Sequence, residues 1–65
     1  MTKIKFIGKS DYDFENGEIY QLLNFEDKKF TYGYFKTWIS NKHHKIVYIP
    51  YSSLTTFNEN WEVVE

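Results

Sequence analysis

No cysteine appears anywhere in these 65 residues. A chain this short buries only about 60% of the surface its unfolded form exposes, and small domains usually offset that with disulfides, metals or a partner subunit. Without thiols there is no disulfide framework, zinc knuckle or thiol nucleophile. The chain offers rings instead: six Phe, six Tyr and two Trp. Each can bury about 150–250 Å². That is more than a small interior can shelter, so roughly half of the rings are expected inside and half on the surface.

Alanine is missing too, while β-branched and aromatic residues abound. Losing the best helix former and keeping the best strand formers points to an all-β chain. Arginine is also absent, and Gly and Pro are scarce beside Lys, Asn, Ile and Tyr. The scarce types, Ala, Arg, Gly and Pro, are those that GC-rich codons encode, so the composition points to an AT-rich genome such as that of a low-GC bacterium or its phage. The chain reads as a single domain, residues 1–65, and as a whole gene product. Its first eight residues (MTKIKFIG) alternate charge with hydrophobe and lack the apolar region of a signal peptide. No run approaches the ~20 apolar residues of a membrane span. A cytoplasmic protein without a membrane partner is expected.

Lys3-Ile4-Lys5-Phe6-Ile7 alternates as a half-buried strand, with Ile4 and Phe6 on one side. Residues 8–16 are polar and acidic around Tyr12 and Phe14, and Asn16-Gly17 is a turn signal because both types tolerate positive φ. Residues 18–25 (EIYQLLNF) form a second strand with apolar residues on both faces, as in a strand bent across a small barrel. A third strand spans residues 30–39 (FTYGYFKTWI), with Gly33 marking a bulge or bend. Residues 45–49 (KIVYI) form the fourth, which Pro50 is expected to end. One 3₁₀ turn over residues 51–57 should bring Leu54 and Phe57 together under the barrel. Glu62-Val63-Val64 closes the chain as a strand able to pair with the first.

Three features now stand together: Asn16-Gly17-Glu18-Ile19-Tyr20 opening strand two, Ile49-Pro50 closing strand four, and Trp61-Glu62-Val63-Val64-Glu65 at the end. This frame resembles the SH3-like barrels, in particular the small ones of phages and low-GC bacteria. The resemblance implies an all-β, five-stranded SH3-like barrel with one short 3₁₀ turn before the last strand. Asp11-Tyr12-Asp13-Phe14 looks like the ALYDF signature of peptide-binding SH3 domains. Here, however, only two residues separate Phe14 from Gly17, which leaves no room for the long acidic loop of that family. Ser53 stands where the family has a ligand-gripping Tyr, and Trp38 is alone where it has a Trp pair. Asp11 to Phe14 is therefore read as a loop packing on the barrel, and the resemblance as one of fold.

Function follows by weighing classes. Asp11, Asp13, Glu15 and Glu18 crowd one loop without a histidine nearby in sequence, and no nucleophile elbow, phosphate-cradling loop or H-E-x-x-H occurs. No catalysis and no cofactor are expected. His43 and His44 are adjacent and would face apart on a strand, so no metal site is expected and a solvated hairpin tip is the simpler account. Lys28, Lys29, Lys36, Lys42 and Lys45, interleaved with aromatics, would suit a nucleic-acid groove. Net charge is −1 and the acidic loop repels phosphate, so that remains the alternative. The leading expectation is non-covalent binding of another protein, host or viral. Tyr32, Tyr34, Trp38, Tyr48 and Tyr51 would form one aromatic patch, and Asp11, Asp13 and Glu15 would engage a basic rim on the partner. Self-association into a homodimer is a second form of the same idea. The compositional style suggests a phage or mobile-element accessory protein that blocks a host enzyme or defence factor.

Overall fold

A computed structural model describes residues 2–28 and 34–65, without the side chains of Lys28 and Tyr34. Five strands and one helix follow in order: β1 (Thr2–Phe6), β2 (Ile19–Lys28), β3 (Tyr34–Ser40), β4 (Ile46–Tyr51), α1 (Leu54–Asn60) and β5 (Trp61–Val63). All pairings are antiparallel, and the sheet runs β4-β3-β2-β1-β5. The expected β-rich domain of five strands is therefore present. The sheet is open: among the described residues no pairing joins β4 to β5.

Side chains bridge that gap where backbone does not. Trp61, at the start of β5, donates its Nε1–H to the Tyr51 hydroxyl at the end of β4, 2.8 Å away. Phe57 of α1 lies between them, 5.6 Å from the Tyr51 ring and 6.5 Å from Trp61. Burial pushes the Tyr51 phenol above its ordinary pKa, opposed by the Trp61 hydrogen bond, so at neutral pH it is an O–H whose oxygen accepts from the indole.

The segment expected as a 3₁₀ turn is instead an α-helix of seven residues. A helix this short is marginal alone. Ser53 supplies the missing support by capping it, its side chain accepting from the Thr56 N–H. At the other end the Trp61 N–H bonds the Phe57 carbonyl. Phe57 is buried as expected, while Leu54 is half exposed at the edge of the same apolar region.

Ile4 and Phe6 face inward from β1, joined by Tyr20 and Leu22 from β2 and by Phe35, Thr37 and Ile39 from β3. The two-sided apolar pattern of β2 has in part a local cause, since Ile19 and Leu23 are outward by plain alternation and only the residues beyond them change sides. Leu22 pairs with Ile39 and Asn24 with Trp38, so Leu23 is an extra residue, a β-bulge. Before the bulge even-numbered residues point inward; beyond it Phe25 and Asp27 oppose the inward Thr37 and Phe35.

The fourth strand runs past Pro50 to Tyr51, where it was expected to stop. β4 is an edge, and a proline is tolerated on an edge because a strand there needs ladder bonds on one side only. The anticipated bend at Gly33 and the start of the third strand at residues 30–33 lie outside the described residues.

Trp61 is the centre of the core. Its ring meets Phe6 at 4.9 Å and Phe14 at 4.8 Å, with Tyr20 at 6.1 Å. Phe14 arrives from the long β1–β2 connection, as a packed loop requires. Gly8 lets that connection leave β1: a Cβ there would stand 2.6 Å from Asn60 Oδ1 and 2.9 Å from the Phe6 ring. Gly17 closes it with φ of 89°, which satisfies the Asn-Gly turn.

Candidate functional site

Alternation along β4 sorts its residues cleanly. Val47, Ile49 and Tyr51 are partly buried against the core, and Ile46, Tyr48 and Pro50 are exposed. Register places Tyr48 opposite Trp38, and their rings lie 5.1 Å apart, tilted by 38°. On its other flank Trp38 faces Asn24 beside the bulged Leu23, which is 41% exposed. Ile46 is 67% exposed. The result is an outward apolar surface across β2, β3 and β4, with Trp38 and Tyr48 in the middle. Lys36 sits at one end of it, paired in register with Pro50 and with Glu26.

Of the anticipated aromatic patch, the structure brings together Trp38 and Tyr48. Tyr51 lies on the opposite face, opposite Phe35 and bonded to Trp61. Tyr32 lies outside the described residues, as does the side chain of Tyr34. Leu23, Ile46 and Pro50 were not singled out from the sequence. Alternation would have indicated all three: the pattern of IVYIPY gives the last two, and Leu23 follows the inward Tyr20 and Leu22.

The three carboxylates form a different construction, a clasp between the β1–β2 loop and the β3–β4 turn. Asp11 Oδ1 accepts from the N–H groups of Asp13 and Phe14, both at 2.9 Å. Asp13 Oδ1 accepts from Asn41 Nδ2 at 2.9 Å, and its carbonyl accepts from the Lys42 N–H at 3.0 Å. Glu15 pairs with Lys42 at 3.1 Å. The hydrogen bond from Lys42 and its charge hold the Glu15 carboxyl below the usual carboxylate range. Lys42 also donates to the Asp11 carbonyl. Tyr12, 77% exposed, lays its ring 4.7 Å from that of His43. These acidic groups thus have partners within the chain.

Asn41 holds the turn together from a buried position. Its Oδ1 accepts from the N–H groups of His43 and Lys45, each at 2.9 Å. The turn then forces His44 to φ of 60°, a conformation costly for any residue with a Cβ. Replacing His44 by glycine should stabilise the protein by about 0.5–1 kcal/mol and raise its melting point by a few degrees. Thermal unfolding followed by circular dichroism checks this; a lower midpoint would mean that the His44 ring makes a stabilising contact.

The basic residues are dispersed. Lys42 is engaged in the clasp, Lys45 is exposed at the turn, and Lys36 is on the outer face. Lys29 and the side chain of Lys28 lie outside the described residues. Among the described residues no group of three or more His, Asp or Glu is placed to hold a metal ion, and no helix is long and apolar enough to cross a membrane. Set against protein-family models, curated proteins and solved structures, the chain finds no match.

Proposed function

We propose that this chain is a small SH3-like domain without catalytic activity that binds another protein through the outer face of β2, β3 and β4. The strand order, with β5 returning beside β1 and one short helix before it, supports the architecture. One observation carries the binding reading. Trp38 and Tyr48 lie against each other on the side of the sheet away from the core, where their rings add nothing to the interior. Large rings turned outward, flanked by Leu23 and Ile46, match the composition of binding hot spots, in which Trp and Tyr are enriched. Dispersed lysines and a net charge of −1 favour a protein over a nucleic acid. The compositional style favours a phage or mobile-element accessory protein that acts in the cytoplasm by covering a host enzyme or defence factor.

A tagged protein should capture a partner from a lysate of its host. Trp38→Ala and Tyr48→Ala should each weaken that capture by about tenfold or more. Both residues lie outside the core, so the unfolding transition should stay cooperative. A labelled oligonucleotide retarded with an affinity that falls steeply with salt would replace this reading with nucleic-acid binding. Undiminished capture by both variants would remove the outer face from the account.

A further inference from the structure

On the inward side of the sheet, where β2 continues past its bulge, the core stays uncovered beside α1. A cleft of about 350 Å³ opens there. Its floor is made by the buried Leu22, Phe35 and Phe57, and its rim by Phe25, Leu54 and Val63, which are 52%, 51% and 57% exposed. The Phe25 ring stacks on Phe35 at 5.8 Å, so the rim is continuous with the floor. The volume is at the lower end of the range for small-ligand sites, about 300–1,000 Å³, and is enough for one large apolar side chain.

The lining carries one charge. Asp27 stands opposite Phe35 in the register, on the inward course that the bulge gives this half of β2. It is exposed, and among the described residues its carboxylate makes no hydrogen bond or ion pair. The acidic residues of the clasp all have side-chain partners; among the described residues this carboxylate has none. An anion beside an apolar trough favours a cation held next to a hydrophobe.

We propose that the cleft is a docking site for a partner polypeptide that inserts a leucine-sized side chain and sets a lysine or arginine next to it against Asp27. The apolar floor selects the side chain and the carboxylate selects the neighbour. The site lies on the opposite side of the sheet from Trp38 and Tyr48, so it stands or falls independently of the outer face.

The probes are two blocked dipeptides, N-acetyl-Leu-Lys-amide and N-acetyl-Leu-Glu-amide, titrated into the isotope-labelled full chain and followed by amide NMR. The lysine probe should bind with a Kd of about 1 mM, as expected for a fragment, and shift resonances of Leu22, Phe35 and Phe57. It should bind about threefold or more tightly than the glutamate probe, and Asp27→Asn should abolish the difference without unfolding an exposed site. Trp38→Ala should leave both titrations unchanged. Equal affinity for the two probes, shifts confined to the outer face, or no saturable shift at all would overturn the proposal.

Discussion

Trp61→Ala should leave the chain without a cooperative unfolding transition at 25 °C. The ring is 1% exposed and touches Phe6, Phe14, Tyr20 and Phe57. Truncating a buried aromatic of this size costs about 3–5 kcal/mol. A domain of 65 residues has roughly 3–10 kcal/mol in total. The same side chain ties β5 to β4 through Tyr51, so that link is lost together with the core packing, while the backbone N–H that caps α1 is retained. Trp61→Phe separates these roles, because it keeps much of the apolar body and removes the indole Nε1–H that reaches Tyr51. That variant should fold with stability reduced by about 1–3 kcal/mol. Urea titration followed by circular dichroism reads both. If the alanine variant unfolds within about 1 kcal/mol of the parent, the ring cluster is not what holds the sheet together.

Asn41→Asp should cost about 2–3 kcal/mol at pH 7 and much less at pH 4. The substitution keeps an oxygen for the His43 and Lys45 amides but replaces the Nδ2 donor that faces Asp13 Oδ1 with another oxygen. Two carboxylates at that distance cannot both be ionised without repulsion, and the contact is partly buried, with residue 41 itself buried. One of them therefore takes a pKa above its unfolded value. Its contribution is present below that unfolded value and is lost as pH rises through the folded one, so the deficit relative to the parent grows from acid to neutral pH. Comparing the variant with the parent at each pH removes the separate effect of protonating Glu15. A deficit that did not change with pH would mean that the Asn41–Asp13 bond is absent in solution.

The parts of this fold that could be read from sequence are those whose causes are local. Ile4 and Phe6 alternate with lysines, Asn16-Gly17 is a turn by backbone preference, and the terminal strand returns to the first. Where causes are distant, sequence reading fell short. Apolar residues on both sides of β2 suggested a bend across a closed barrel; the sheet is open, Ile19 and Leu23 stay exposed on its outer side, and the bulge at Leu23 sets Phe25 opposite the inward Thr37. Pro50 was read as a stop because its position at the edge depends on strand order. The helix was taken for a 3₁₀ turn because its length is unfavourable until the Ser53 cap and the burial of Phe57 are counted. The proposed binding face was legible in part. Trp38 and Tyr48 were identified by type, but only register shows that Tyr51 belongs to the interior. The carboxylates were assigned to a partner because Asn41 and Lys42, their companions, lie some 27 and more residues along the chain.

An unclosed sheet has two free rims on which another molecule could lay down a strand, the first step toward fibrous aggregates. Here one rim, β5, offers only three residues, and the other carries Pro50, which has no amide hydrogen to give. Strand-by-strand polymerisation is thereby obstructed at both ends.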